Sequence, residues 1–377
     1  MSFIHPKDWP QWQAKNAQSH NCDAEFSVQT LHNAIIFAGI NGSGIWANNT
    51  HFCNAWWLYR HNMPQTQTPI AQAKINQSVV YIGHNHGIWG HDITDHLRFF
   101  SFLFHPEYQH LKNYPLAYSV FNENDNLDEN YLFLLKQLGI ENQQLLKISK
   151  PTEFKTIFIP QECFFYHPQK QCHYFTKDYL KIINQIMEKI PENNLKQKIY
   201  FSRTQLNNKR DINEIAVENI FKNQGFKIIY PEKTPILTQL TLLKNASCFA
   251  ATEGSIAHNV VFCSANTSIL ILRKARNFIS HQITLNQIKP FHVHYIDIGF
   301  SPFLKKSSEW IAGPFFLYDS NYLRRYFNLP NKHFPLFLFL KTYALKEGFY
   351  FIFNSPFVLK LRAIFKIRSR LKKLFQK

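Results

Sequence analysis

Short apolar runs alternate with segments of helical periodicity over residues 198–272. Four β-branched runs predict strands, at 198–201, 226–230, 247–251 and 267–272. Apolar spacing predicts helices at 211–223 and 236–246, and a third helix after the polar break at Glu253-Gly254-Ser255. Strands that alternate with helices indicate a parallel, doubly wound sheet, and such sheets bind ligands at the carboxyl ends of their strands.

The N-terminal half shows similar blocks. Strands are predicted at 34–38, 45–47, 79–82 and 154–160. A linker is predicted at 165–176, and a helix follows it at 178–190. A helix opening near Gly90 places His91, Asp95 and Arg98 on one face, because they are four and three residues apart. The glycine-rich stretch 39–44 is not followed by Gly-Lys-Ser/Thr, so it predicts a hairpin turn rather than a phosphate-binding loop.

The polar loops after Phe201 and Ala251 fall at two strand ends and suit a phosphorylated ligand. A Gly-Ser turn at a helix start presents free backbone N–H groups and the positive end of the helix dipole to an anion. Arg203 and Arg210 offer bidentate contacts to phosphate oxygens. The alternative, an ordinary strand-to-helix turn beside solvated arginines, fits the spacing equally well.

Several motifs occur here in a fixed order. They read Tyr-Phe-Ser-Arg, Arg-x-x-Asn-Glu, Gly-Phe, Pro-Glu, Gln and Glu-Gly-Ser-x-x-His-Asn-x-x-Phe, after an earlier Gly-His-x-x-x-Asp. This order resembles the glycosyltransferase 61 family, described for capsular polysaccharide loci and for plant and animal sugar transferases. The resemblance implies an α/β fold of GT-B type, with two facing Rossmann-like domains. It also implies inverting, metal-independent sugar transfer from a nucleotide donor. Many eukaryotic members carry His-Gly-Ala where this chain has Glu253-Gly254-Ser255, so their donor preference does not carry over.

The resemblance also implies site residues. The donor-binding set is Ser202, Arg203, Arg210, Asn213, Glu214, Glu232, Gln239, Glu253, Gly254, Ser255, His258 and Asn259. In this interpretation Gly254-Ser255, Arg203 and Arg210 hold the pyrophosphate of a nucleotide sugar, UDP-linked, with no other cofactor. The acceptor is a glycan or a lipid-linked glycan of capsule or lipopolysaccharide (O-antigen) synthesis, and the transferred unit is a hexosyl or pentosyl group.

Inverting transfer needs a general base for the acceptor hydroxyl. Asp95 is the predicted base, with His91 as its orienting partner and Asp92 as the substitute. The alternative is that Asp95 and Arg98 form an exposed helix pair of little energetic weight. Four histidines between His84 and His96 also permit a zinc site completed by a carboxylate, but we expect no metal, because the chain is rich in histidine throughout.

Charge and composition limit the functional classes to which the protein can belong. The net charge of +17 over 377 residues requires an anionic partner, which leaves a basic nucleic-acid-binding protein as one rival. The charge is concentrated in the C-terminal tail and no nucleic-acid-binding module is visible, so no nucleic acid is expected. A GT-B phosphotransferase of cell-wall polymer synthesis is a second rival. The six cysteines show no pairing pattern, and neither a signal peptide nor a membrane-spanning run is found; these features indicate a cytoplasmic, reduced protein.

The tail combines regularly spaced apolar residues with dense Lys and Arg and has no acidic residue. Such a basic amphipathic helix suits an anionic membrane surface, so we expect the protein to lie peripherally on the inner face of the plasma membrane; a helix docked on the protein is the alternative. The predicted organisation is an acceptor-side Rossmann-like domain at 1–165, a nucleotide-sugar-binding domain at 166–300, an extension packing back on them at 301–355 and the basic tail at 356–377.

Overall fold

The chain folds around two separate β-sheets. The computed structural model describes residues 3–38, 44–48, 50–52, 70–193, 195–207, 211–301 and 314–345. Within these ranges the fold is mixed α/β with parallel strands, as the sequence predicts. Arg210, Cys53, most of the glycine-rich stretch and the tail 356–377 lie outside the described residues. The domain boundaries stay predictions.

The first sheet has seven strands. They are β1 Val28–Phe37, β2 Gly44–Ala47, β3 Thr50–Phe52, β4 Ala73–Asn85, β5 Leu116–Val120, β6 Leu145–Ile148 and β7 Thr152–Pro160. Their order is β3-β2-β1-β7-β4-β5-β6, with β7, β4, β5 and β6 parallel and the other pairs antiparallel. The antiparallel pairing of β1 with β2 on either side of the glycine-rich stretch is the hairpin that the sequence predicts. All residues of 79–85 are buried, which explains the continuous apolar run in β4.

The second sheet has five strands, all parallel. They are β10 Gln197–Phe201, β11 Lys227–Ile229, β12 Ala246–Thr252, β13 Ser268–Arg273 and β14 His292–Asp297, in the order β11-β10-β12-β13-β14. The first four match the predicted strands. Because β11 and β12 follow β10 in sequence but flank it in space, the strand order reverses between β10 and β12. A crevice at such a reversal is the usual ligand site of an open α/β sheet.

Two small antiparallel pairs complete the strands, β8 Phe164–His167 with β9 Cys172–Phe175 and β15 Gly299–Phe300 with β16 Phe316–Leu317. The first pair occupies the segment predicted as a linker. That prediction was wrong because all four residues of β9 are buried against the protein.

The α-helices are Trp9–Asn16, Glu129–Gln137, Lys177–Glu188, Glu214–Asn223, Ile236–Lys244, Ser280–Leu285, Asn321–Tyr326 and Leu336–Phe339. The 3-10 helices are Pro6–Asp8, Pro106–Asn113, Asn142–Gln144, Pro231–Lys233 and Ala257–Phe262, and Leu340–Ala344 is π-helical. Among the described residues, every helix falls short of the length and apolar character needed to cross a membrane.

At two predicted helices the structure has other helix types than a regular α-helix. The helix after Ser255 is only the six-residue 3-10 helix Ala257–Phe262. The helix near Gly90 is a single α-turn, Trp89–His91, then a π segment, Asp92–His96, then a 3-10 helix, Leu97–Phe104. Residues 92–102 are all buried, so packing on every side, rather than one apolar stripe, sets the backbone here.

The helix Lys177–Glu188 links the two sheets. Its predicted apolar residues Tyr179, Ile182, Ile183 and Ile186 are fully buried in a cluster that also contains Ile82 of β4 and Phe201 of β10. The Tyr179 hydroxyl donates a hydrogen bond to the Ile93 carbonyl oxygen (3.0 Å). One continuous core therefore supports the edges of both sheets.

Truncating this helix should destabilise the whole fold. Ile183→Ala removes a fully buried side chain and is expected to lower the free energy of unfolding by about 2–5 kcal/mol. Ile215→Ala is the matched control, because Ile215 lies on another helix and is 48% exposed. Denaturant unfolding measures both variants. Equal losses would contradict the central position of this helix.

Candidate functional site

The carboxyl end of β10 is organised by two buried glutamates of the next helix. Ser202 Oγ donates to Glu218 Oε2 (2.7 Å), and Tyr230 Oη donates to Glu218 Oε1 (3.1 Å). Glu214 Oε1 accepts hydrogen bonds from Tyr200 Oη (2.8 Å) and from the backbone N–H of Arg203 (3.1 Å). These contacts fix the loop that follows β10.

The buried face of the helix Glu214–Asn223 consists of Glu214, Val217, Glu218 and Phe221. Of the apolar residues that predict this helix, Phe221 is buried, whereas Ile215 is exposed. Two glutamates take the sheet-facing positions because they accept the hydrogen bonds of the β10 loop. Glu218 was missed by sequence reasoning; its spacing of four from Glu214 was the available signal.

Arg203 lies directly beside the point where the strand order reverses. Its backbone is held by Glu214, while its buried Nε makes no hydrogen bond to any residue in the described ranges. Burial raises the pKa of Glu214, and its bonds from Arg203 and Tyr200 oppose that rise. The arrangement fixes the Arg203 main chain and leaves part of its guanidinium available for an anionic ligand.

Two other predicted donor residues have structural contacts. Gln239 Nε2 donates to the carbonyl oxygens of Pro231 (2.9 Å) and Thr234 (2.7 Å), which holds the turn that carries the exposed Glu232. Asn213 has a φ of 66° and donates from Nδ2 to the Leu317 carbonyl oxygen (2.9 Å). Gln239 and Asn213 therefore shape the loops around the crevice.

The turn after β12 lies at the other side of the reversal. Gly254 has a φ of 125°, a region that favours glycine, and its carbonyl oxygen accepts from the Ala257 N–H (2.8 Å). Because only a short 3-10 helix follows, the predicted α-helix dipole at Gly254-Ser255 is not present. The backbone of the turn and the Ser255 hydroxyl remain as neutral groups at this strand end.

Buried charges surround this turn. Burial raises the pKa of Glu253 to about 7, and the nearby Arg273 and Lys274 limit that rise. Lys274 Nζ pairs with Asp211 Oδ2 (2.9 Å), and burial lowers the pKa of Lys274 against the pull of Asp211. Lys274 was missed by sequence reasoning. Its signal is its position directly after β13, the strand beside β12.

The segment after β4 meets the segment after β12 in close contact. A Cβ atom on Gly90 would lie 2.7 Å from Ser255 Oγ and 3.0 Å from His258 Nδ1. Trp89 Nε1 donates to Asn259 Oδ1 (3.1 Å) next to this contact. The two motif segments that lie far apart in sequence therefore form one site.

His91 and Asp95 form a hydrogen-bonded pair through His91 Nδ1 and Asp95 Oδ2. Arg98 Nη1 lies 3.8 Å from Asp95 Oδ1 and 3.3 Å from Glu162 Oε2. Asp95 and Arg98 are only 8% and 6% exposed, so the alternative of an exposed helix pair is wrong. Glu162 was missed by sequence reasoning, because it follows β7 and reaches Arg98 only through the adjacency of β7 and β4.

The charged residues of this cluster shift one another's pKa values. Burial raises the pKa of Asp95, but the hydrogen bond from His91 and the charges of His91 and Arg98 lower it well below its usual range. Burial lowers the pKa of His91, but Asp95 outweighs burial and raises it overall. Burial raises the pKa of Glu162 to about 7 against the opposing charge of Arg98.

Other histidines surround the pair. Burial lowers the pKa of His86 to about 2 and that of His258 to about 3, so both are neutral. His281, which sequence reasoning missed, is one of the groups whose electrostatic interaction lowers the pKa of Asp95. Nitrogen and oxygen atoms of His86, His91 and Asp95 lie within 4.8 Å of one another, close enough to hold a metal ion.

Asp92, the predicted substitute base, is 1% exposed and pairs with His96 Nδ1 (3.3 Å). His96 Nε2 in turn hydrogen-bonds the His84 carbonyl oxygen. Asp92 is therefore already engaged inside the protein.

The comparisons with known proteins bear on this site. Residues 89–270 match the family model described as Glycosyltransferase 61. Over these residues the chain is similar to the glycosyltransferase 61 family. The match confirms the resemblance predicted from the motifs, and it covers every candidate residue from His91 to Asn259. The matched segment includes both Gly90 and the turn after β12 that it contacts, and the similarity supports glycosyltransferase activity. No curated protein matches the chain.

The contact at Gly90 can be tested by adding one methyl group. Gly90→Ala should lower the free energy of unfolding by about 1–3 kcal/mol, because its Cβ would overlap Ser255. Ser255→Gly removes both nearest Ser255 atoms, so the double variant should recover part of the loss. Unfolding free energies of the four proteins measure this coupling. Additive losses would contradict the close approach.

The His91–Asp95 pair should make the stability of the fold depend on pH. Because the pKa of His91 is raised on folding, its protonation stabilises the fold below about pH 6.5, and this contribution is lost as pH rises through the folded value. In Asp95→Asn the pKa of His91 should fall, since burial then acts without its opposing charge. Histidine NMR titration measures the shift, with Asp23→Asn, an exposed site, as the control. An unchanged His91 would refute the pairing.

Proposed function

We propose that this protein is an inverting, metal-independent glycosyltransferase of GT-B type. It transfers a hexosyl or pentosyl unit from a UDP-linked sugar to a glycan or lipid-linked glycan acceptor during capsule or lipopolysaccharide synthesis. The observation that carries the proposal is the contact at Gly90, which places the His91–Asp95 pair beside the strand-order reversal of the parallel sheet. The similarity to the family supplies the reaction class.

The donor pyrophosphate lies against the ends of β10 and β12. Arg203 contributes a guanidinium that matches phosphate geometry, and Ser255 and the turn at Gly254 contribute neutral donors. Lys274 adds a second cation near the phosphates, held in place by Asp211. Arg210, seven residues after Arg203 in the sequence, is a further donor-binding residue in this proposal. Together these groups stabilise the negative charge that develops on the departing nucleotide.

The acceptor hydroxyl loses its proton to the His91–Asp95 pair. Its oxygen forms a bond to the anomeric carbon while the bond from that carbon to the phosphate oxygen breaks, which inverts the configuration. Asp95 alone is a weak base, because its pKa is held well below its usual range. The pair is stronger, since Asp95 stabilises the protonated imidazole, and the His91 side chain is 28% exposed against 10% for Asp95. In this refinement Asp95 supplies the charge and His91 receives the proton.

Glu162 positions Arg98 for this step. One guanidinium nitrogen of Arg98 lies near both Glu162 and Asp95, so the two carboxylates share its charge. Glu162 thereby limits how far Arg98 weakens the His91–Asp95 pair as a base.

Metal independence is supported by the charges around His86, His91 and Asp95. Asp95 already interacts with His91 and Arg98, and the positive charge of Arg98 opposes a cation at the same carboxylate. On the donor side, Arg203 and Lys274 replace the charge that a metal supplies in other transferases. Stoichiometric zinc in the purified protein would overturn this part of the proposal.

The protein acts in the cytoplasm, peripherally bound to the inner face of the plasma membrane. The tail 356–377, which lies outside the described residues, supports this placement through its sequence alone. The eight basic residues of its sequence favour an anionic surface.

The donor site can be tested by thermal shift with nucleotide sugars, with and without chelator. A UDP-sugar should raise the melting temperature of the wild-type protein regardless of chelator, because a ligand that binds the folded state stabilises it. Arg203→Ala should weaken this binding about tenfold or more. Asp95→Asn should keep the shift and lose at least about 100-fold in transfer rate, since it removes only base chemistry.

Arg325→Ala is the matched control, because Arg325 is an exposed arginine on the helix Asn321–Tyr326. It should leave both binding and transfer unchanged. Equal donor binding by Arg203→Ala and the wild type would count against the phosphate site. Full transfer activity in Asp95→Asn would exclude the proposed base.

A further inference from the structure

The helix that begins at Leu336 presents an apolar face to solvent. Leu336, Phe337, Leu338, Leu340 and Leu345 are 58%, 80%, 38%, 46% and 57% exposed. Single exposed apolar residues are ordinary on protein surfaces, but five within ten residues on one helix form a contiguous patch. We call these five residues the apolar face.

The opposite side of this helix is fixed to the protein. Phe339 and Tyr343 are buried against Phe316 of β16, with ring centroids 5.3 Å and 6.3 Å from that residue. Phe300 of β15, itself 44% exposed, contacts Phe339 at 5.3 Å and extends the patch. The helix therefore lies along the surface with its apolar face pointing outward.

The chain that follows identifies the kind of partner. Residues 356–377 carry eight basic and no acidic side chains, at Lys360, Arg362, Lys366, Arg368, Arg370, Lys372, Lys373 and Lys377. Ten residues separate Leu345 from this segment, which span at most roughly 35 Å. An apolar face and a basic segment this close together are the two signals that stable peripheral membrane binding requires.

We infer that the apolar face of residues 336–345 inserts into the acyl layer of an anionic lipid bilayer. It is a second membrane-binding element, and it adds an apolar contribution to the electrostatic contribution of the tail. Lys341 lies within the face and is exposed, where its amine can reach lipid phosphates while its methylene stem stays in contact with the leucines. The inference does not depend on the sugar-transfer reaction.

Vesicle flotation of the full-length protein tests this inference. The vesicles contain phosphatidylcholine alone or mixed with phosphatidylglycerol. Phe337→Ser/Leu340→Ser removes two exposed side chains and should weaken binding to the anionic vesicles at least about tenfold. The binding that remains should disappear in high salt, because it comes from the tail. Ile70→Ser/Leu195→Ser is the matched control, since both residues are exposed, at 86% and 69%, and lie elsewhere.

Three results would overturn the inference. Wild-type binding by the Phe337→Ser/Leu340→Ser variant would show that the face does not touch lipid. A wild-type dimer that this variant abolishes, seen by analytical ultracentrifugation, would assign the face to a second copy of the chain. Vesicle binding that is unchanged after deletion of 356–377 would contradict the electrostatic contribution of the tail. Because the assay contains no nucleotide sugar, a failed donor screen leaves its outcome unaffected.

Discussion

The absence of a side chain at Gly90 sets the distance between the two halves of the site. At this point the backbone after β4 approaches Ser255 and His258 so closely that a methyl group would have to displace them. The hydrogen bond from Trp89 to Asn259 orients the same contact. The His91–Asp95 pair follows Gly90 directly, while Ser255 and His258 follow the reversal of the parallel sheet. A change of a few tenths of an ångström here moves the proposed base relative to the donor, and catalysis is sensitive to displacements of that size.

Around this contact, buried charges are held in place by partners from distant parts of the chain. Arg98 lies between Asp95 and Glu162, Lys274 pairs with Asp211, and buried glutamates hold the loop after β10. Replacing a buried ion pair with apolar residues often leaves a fold equally stable or more stable, so stability alone gives no reason for these pairs. Their concentration at two adjoining strand ends is better explained by ligand binding and proton transfer, where preorganised charge is needed.

The sequence predicts the strands of the second sheet well, because short β-branched runs bounded by polar loops have few other structures open to them. It also places His91, Asp95 and Arg98 together, since spacings of three and four hold in several helix types. It fails for the irregular helical segment after Gly90, where burial on all sides removes the periodic signal. Glu162 could not be predicted, because its role comes from the adjacency of β7 and β4 rather than from local spacing, and for Lys274 the only signal was its position after a predicted strand. Glu218 could have been predicted from its spacing of four from Glu214, but helical positions that face a sheet are expected to be apolar.

Both proposed surfaces of this protein have an anionic partner. A net charge of +17 attracts both an anionic membrane and an anionic nucleotide donor, and charge alone does not separate them. Structure does, because Arg98 and Lys274 are buried beside specific acids, whereas the basic residues of the tail sequence follow one another without any acid. Buried, paired cations select a ligand by geometry, while a dense basic segment that follows an apolar helix in the sequence is typical of binding to a surface. In the proposed arrangement, a transferase on the membrane would meet a lipid-linked acceptor by diffusion in two dimensions, so its donor site alone would have to capture a ligand from solution.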